Sequence, residues 1–251
     1  MRYAVLSDVH GNLEALTAAL AMLSSHRIDH YLCLGDIVGY GADPSACLGR
    51  LRELEAVIVA GNHEQGCLGT LDARWFNDAA RAAILWTRDQ LSITDLDVLR
   101  RLPLTETSGP VTLVHATLRH PERFEYLVDL GQTVDVLAVC RTLICAAGHT
   151  HLPCVVEYDR THRRVLRVLT VPDDLTQVAF ADDESSRRYL LNPGSVGQPR
   201  DGDPRASVAV IDLEAKRFSI HRVPYDIAGA QRKIRQAGLP AFLAERLALG
   251  R

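Results

Sequence analysis

The apolar residues of this chain gather in short continuous runs, each broken by glycine, aspartate, asparagine or histidine. Tyr3-Ala4-Val5-Leu6 leads into Ser7-Asp8-Val9-His10-Gly11-Asn12, and Tyr31-Leu32-Cys33-Leu34 into Gly35-Asp36. Ala56-Val57-Ile58-Val59-Ala60 ends in Gly61-Asn62-His63-Glu64, Val111-Thr112-Leu113-Val114 in His115, and Leu143-Ile144-Cys145-Ala146-Ala147 in Gly148-His149-Thr150-His151. Runs of this kind suit strands buried on both faces. Open α/β sheets carry their sites at the C-terminal ends of such strands. On a strand, residues two apart share a face, so Asp8 and His10 are expected to point the same way. For that stretch alone, Asp8 as a helix cap with His10 an incidental surface residue is an equal alternative. The recurrence at five strand ends favours shared chemistry.

Between the runs the period changes to that of helices. Leu13, Leu16, Leu20 and Leu23 fall at helical spacing after Asn12, a good N-cap. Residues 44–55 read as a helix with Asp43 as N-cap and Pro44 in its first turn. Residues 72–102 are helical and alanine-rich, with a second helix near 93–102 ended by Pro103, and residues 131–143 read as a further helix. The segment of roughly 50 residues between His63 and His115 exceeds what a crossover needs. Its excess, about 65–110, is either a helical cap over the site or an outer-layer helical pair.

After His151 the pattern alternates. Residues 155–158, 165–169, 177–181 and 188–191 read as short strands, followed by the turn-rich stretch from Asn192 to Arg200. Residues 206–213 and 217–223 form a hairpin around Glu214-Ala215-Lys216, and 226–237 and 240–249 are terminal helices broken by Gly238. This half is expected to form a second, largely antiparallel sheet packed on the first. With no internal repeat and no low-complexity linker, one domain over 1–251 is the simplest organisation.

Composition narrows the function classes. The 251 residues are 47% apolar and 24% charged with a net charge of −3, which carries no nucleic-acid or membrane signature. No run of 18 apolar residues suggests a span, and Ser7 and Asp8 interrupt any secretory core. The six cysteines form no CxxC pair and read as reduced, buried thiols, so a cytoplasmic location is expected.

The candidate chemistry lies in Asp8, His10, Asp36, Asn62, His115, His149 and His151, with His63 beside them. Seven oxygen and nitrogen ligands exceed the four of a tetrahedral zinc site. They suit two divalent cations about 3.5–4 Å apart sharing a carboxylate, an arrangement that ionises water at neutral pH and orients phosphoryl oxygens. Mixed imidazole and oxygen ligands accept manganese, iron, nickel or zinc; manganese is the expectation here.

These motifs resemble, in order, those of the calcineurin-like metallophosphoesterase superfamily: Asp8-x-His10, Gly35-Asp36, Gly61-Asn62-His63-Glu64, His115 and Gly148-His149-Thr150-His151. Gly35 to Gly41 and Asn192 to Arg200 resemble its small bacterial and archaeal branch, the YfcE-like proteins, and the likeness spans residues 3 to about 213. The resemblance implies a four-layer αββα sandwich with two mixed β-sheets. It implies that Asp8, His10 and His151 bind one metal, that Asn62, His115 and His149 bind the other, and that Asp36 bridges them. His63 would be the general acid, and the substrate a phosphate ester, a diester above all.

The chain also departs from related proteins. Gly39 and Tyr40 stand where the Ser/Thr protein phosphatases carry Asp and Arg, and Ala60 where they carry Arg. The clamp for a phosphomonoester dianion is therefore missing, and the partner of His63 is unassigned. Ala116-Thr117-Leu118 replaces the usual Gly-Ser turn after the fourth-motif histidine. Arg200 is a candidate phosphate contact or a solvated arginine. Ser195 reads as a turn residue in preference to a nucleophile, Glu64 as a support behind the metal ligands or a structural residue, and Asp182-Asp183-Glu184 as a solvated hairpin tip. Alternatives to a phosphodiesterase are a protein or dinucleoside-polyphosphate phosphatase, and a non-catalytic scaffold like the retromer subunit that resembles this family.

Overall fold

In the computed structural model, which describes residues 1–127, 129–171 and 173–251, strand β1 (Arg2–Leu6) runs straight into the first motif. Its side chains alternate between two cores. Ala4 and Leu6 pack with Leu16, Leu20 and Leu23 of helix α1 (Leu13–Leu23), while Tyr3 and Val5 face a second sheet. That is why the run is apolar throughout instead of alternating. Asn12 caps α1 by accepting the Ala15 N–H at 3.1 Å.

Strand β2 (His30–Cys33), helix α2 (Pro44–Glu53), strand β3 (Val57–Ile58) and helix α3 (Asn62–Leu68) complete the first third. Asp43 stands at the start of α2, but its carboxylate bonds Lys233 Nζ at 2.8 Å instead of capping the helix. Helices α4 (Asp78–Gln90) and α5 (Ile93–Arg101) fill the long crossover, capped by Asn77 and Ser92. Strands β4 (Thr105–Ser108) and β5 (Val111–Val114) form a hairpin. Helix α6 (Leu130–Val139) stops four residues short of its expected end, because Cys140 turns to extended geometry on the way into β6 (Ile144–Ala147).

Strands β7 (Cys154–Asp159), β8 (Arg164–Thr170), β9 (Leu175–Ala179), β10 (Arg187–Asn192), β11 (Ala206–Asp212) and β12 (Arg217–Val223) follow, then α7 (Ile227–Gln236) and α8 (Ala241–Glu245). They do not form a sheet of their own. One six-stranded sheet runs β3-β2-β1-β11-β12-β9 and the other β4-β5-β6-β10-β7-β8. Thus β11 pairs antiparallel to β1, Tyr3 opposite Ile211, and β10 lies parallel to β6, Tyr189 opposite Ile144. Each half of the chain supplies strands to both sheets, so the expected split by halves is corrected.

The layers follow from the cores. Leu32, Leu34, Val111, Ile144, Tyr189 and Phe218 fill the space between the sheets. Helices α1 and α2 cover the outer face of the first sheet, and α6 covers the second through Val136 and Leu137. The result is the four-layer αββα sandwich with two mixed sheets. Helices α7 and α8 pack on α4 and Tyr40 in a separate cluster. Among the described residues no helix is long and apolar enough to cross a membrane.

Candidate metal centre

β1, β2 and β3 from one sheet and β5 and β6 from the other deliver their following residues to one edge of the sandwich. Asp8 and His10 lie beyond β1, not on it, with φ of 53° and 49°. Asp36, His149 and His151 are also left-handed, at 50°, 63° and 61°. Strand alternation therefore does not orient these side chains. Tight left-handed turns do, at a backbone cost that natural sites accept where surrounding bonds enforce it. Asn62 and His63 begin α3, so His63 sits on a first helical turn and not at a strand end.

Two groups result. Asp8, His10 and His151 form one, and Asp36, His115 and His149 the other, all buried. His151 Nε2 lies 3.1 Å from Asp8 Oδ1 and 3.4 Å from His10 Nε2. In the second group His115 Nε2 is 3.0 Å from His149 Nδ1 and 3.2 Å from Asn62 Oδ1. Asp36 Oδ2 reaches into both, 3.3 Å from His115 Nε2 and 3.7 Å from His10 Nε2. A third grouping of His10, Asp36 and His63 shows how close His63 stands. All seven expected ligand residues and His63 are brought together.

The neighbours of these side chains fit them to cations. His10, His115 and His151 each direct Nδ1 to a backbone carbonyl, of Val38 at 3.2 Å, Leu34 at 2.7 Å and Gln198 at 2.5 Å. A carbonyl only accepts, so each Nδ1 carries the proton and each Nε2 turns a lone pair inward. Two such lone pairs 3.4 Å apart, on His10 and His151, repel unless a cation lies between them. His149 Nε2 is buried without a hydrogen-bond partner among the described residues. Without metal, one imidazole of the cluster, His115, takes up a proton instead. Burial opposes the charge on His115, but Asp36 and Asp8 outweigh it and push its pKa to about 9. Burial lowers His149 to about 3, with the charge of His115 adding to it. Burial likewise works against the Asp8 carboxylate, yet His151 holds it below the usual range.

Glu64 ties the second motif to the third. Its Oε2 accepts the N–H groups of Asp36 at 2.8 Å and Gly61 at 2.7 Å, and Oε1 those of Ile37 at 2.8 Å and Val38 at 3.2 Å. Burial and then the Asp36 charge still push its pKa up to about 7. Ser195 is a turn residue as expected: its hydroxyl donates to Asp8 O and accepts from Gln198 N–H, both at 2.8 Å. Asp182, Asp183 and Glu184 form an exposed tip, and five of the six cysteines are buried and all are free.

The surroundings of the centre were less legible. Tyr40 packs its ring 4.6 Å from His10 and 4.5 Å from His63, and Arg246 from the C-terminal segment stands 6.0 Å from the Tyr40 ring centre. Burial and then Arg200 lower the Arg246 pKa. Arg246 Nε donates to the Arg251 carbonyl oxygen, and Arg200 donates to Gln198 Oε1 at 3.1 Å while its Nε is buried without a partner among the described residues. Tyr126 stacks on His149 at 4.0 Å and Phe76 meets His63 edge-on at 5.3 Å. No sequence pattern marks Arg246, Tyr126 or Phe76. Their relevance comes from tertiary contact alone.

Fold and centre together define a two-sheet sandwich that holds paired His/Asp clusters at one edge. Residues 1–216 match the model of the calcineurin-like phosphoesterase superfamily domain. The chain is 40% identical to uncharacterized protein MJ0912 of Methanocaldococcus jannaschii over 99% of its length and 98% of that protein. A crystal structure of a metallophosphoesterase from Sphaerobacter thermophilus shares 40% identity, full coverage of both chains and a TM-score of 0.84. The hypothetical protein PH1004 of Pyrococcus horikoshii shares the fold, at 20% identity and a TM-score of 0.77 over all of this chain and 98% of its own. This chain belongs to the calcineurin-like phosphoesterase superfamily, a metal-dependent family of phosphoester hydrolases.

Proposed function

We propose that this protein is a dinuclear metal-dependent phosphoesterase acting on phosphodiesters, with some activity on monoesters. The observation that carries the reading is the position of Asp36 Oδ2 between His115 and His10, one from each cluster. On this reading Asp8, His10 and His151 hold one ion, Asn62, His115 and His149 the other, and Asp36 both. Two divalent cations there, manganese by preference, would ionise water at neutral pH and offset phosphoryl charge. The protein's own part is to hold the ligands with backbone carbonyls behind three imidazoles, and to place the His63 ring beside them. Burial lowers the His63 pKa to about 4 against the pull of Asp36. A phosphate oxygen beside it favours the protonated ring, ready to protonate a leaving oxygen.

Intact ligands and His63 favour catalysis over the scaffold reading. The test is turnover of bis-p-nitrophenyl phosphate by protein loaded with manganese. Steady release of p-nitrophenolate that chelation abolishes is the expected result. No turnover of any phosphate ester with manganese, iron, nickel or zinc would overturn the reading.

A further inference from the structure

A cavity of about 270 Å³ opens directly beside the centre, with Asn62 and His149 at its floor. Its walls are aromatic: Trp75 and Phe76 from the crossover segment, Phe124 and Tyr126 from the stretch after His115. Three of these rings also touch the centre, since Phe76 meets His63, Tyr126 stacks on His149, and Phe124 lies 6.0 Å from His115. Trp75 is the exception. Its indole is 83% exposed at the rim, an uncommon place for the largest apolar side chain, and it has a free face. Polar groups stand among the rings. Asn77 spends its Oδ1 on the Ala80 N–H at 2.9 Å, which leaves its amide NH₂ as a donor, and Arg123 adds a guanidinium.

Flat rings supply stacking faces, and an amide with a guanidinium supplies hydrogen bonds to a polar ring edge. A nucleobase needs both, whereas a phenyl ring has no polar edge to satisfy. The volume lies at the lower end of ligand cavities, enough for one ring system and too small for a folded peptide. We propose that this cavity seats the nucleobase of a nucleotide ester whose phosphate reaches the metal centre. The inference rests on the phosphoesterase reading and deepens it: the crossover segment selects the substrate through Trp75, Phe76 and Asn77.

The test is calorimetric titration of the manganese-loaded protein with non-hydrolysable phosphonate analogues of AMP, ribose 5-phosphate and phenyl phosphate. Stacking on one aromatic side chain changes affinity by roughly fivefold to a hundredfold. The AMP analogue is expected to bind at least about fivefold tighter than the ribose analogue. Trp75→Ala, at an exposed position that leaves the fold intact, should erase that advantage without changing ribose affinity. Equal affinity for the AMP and ribose analogues overturns the proposal. So does a phenyl analogue as tight as the AMP analogue, or an advantage that survives Trp75→Ala. These outcomes leave ester turnover untouched, so they are separable from failure of the phosphoesterase reading, which is read from p-nitrophenolate release.

Discussion

A Cβ placed on Gly39 would lie 2.1 Å from Nδ1 of His63, so the imidazole occupies the space of the side chain this position lacks. Related Ser/Thr phosphatases carry an aspartate there. Among the described residues nothing substitutes for that aspartate, since His63 Nδ1 is buried without a hydrogen-bond partner. His63 is thus positioned by packing against Tyr40, His10 and Phe76, and by its backbone N–H donating to Asp36 Oδ1 at 2.9 Å.

The proton-transfer role of His63 is testable by leaving group. General-acid catalysis contributes roughly 10²–10⁴ in rate and matters most for poor leaving groups. His63→Ala should retain both metals and lose far more activity on alkyl esters than on p-nitrophenyl esters. His115→Ala should lose metal and slow both alike. If His63→Ala slows the two ester types by one common factor, His63 is not the acid.

The bridging role of Asp36 is testable by stoichiometry. Elemental analysis of reconstituted protein should approach two equivalents, and Asp36→Ala should lose more than one. Chelation should also lower the melting temperature, because ions bound only by the folded state stabilise it. Full occupancy in Asp36→Ala would sink the bridge.

The preference for diesters is testable by substrate charge. With no arginine at positions 40 and 60, diesters should be hydrolysed in preference to monoesters of the same leaving group. Arg246, 6.0 Å from the Tyr40 ring centre, and Arg200 stand where they would return part of that positive charge. Charge-assisted hydrogen bonds contribute about 1.5–3 kcal/mol. Arg246→Gln should therefore cut kcat/KM for p-nitrophenyl phosphate by about tenfold or more and that for bis-p-nitrophenyl phosphate much less. An unchanged ratio between the two substrates would place Arg246 outside substrate binding.

A separate prediction concerns stability in mild acid. Burial, and then His26, lower the His221 pKa from 6.5 to about 4, and its Nε2 is buried without a partner. The unfolded chain therefore takes up this proton near pH 6.5 and the folded chain only near pH 4. Stability falls as pH drops between those values and this contribution stops changing below them. Melting temperatures of wild type and His221→Gln at pH 7 and pH 5 should diverge, with the variant losing less. Parallel losses would show that His221 titrates alike in both states.

Sequence alone determined the buried central strands and the side-chain types at their ends, though not the edge strand β4 (Thr105–Ser108), whose polar residues carry no apolar run. Tyr3 to Leu6 and Ile144 to Ala147 are buried on both faces, which only continuous apolar runs can be, so their ends were legible. The histidines and carboxylates at those ends carry their chemistry in side-chain type. Which sheet each strand joins was not legible, because β11, buried throughout, and β12, which alternates, would each suit either sheet. Pairing is decided by partners some 200 residues away, as where Tyr3 meets Ile211. Nor could a strand period reveal that Asp8 and His10 sit in left-handed turns, since those conformations are imposed by bonds from distant loops: Asp8 N–H donates to Gly35 O at 3.1 Å and His10 N–H to Asp36 O at 2.9 Å. Arg246 and Tyr126 lie further still from any motif. Tertiary packing alone brings a C-terminal arginine onto Tyr40 and a tyrosine onto His149, because proximity across the fold leaves no periodic trace along the chain.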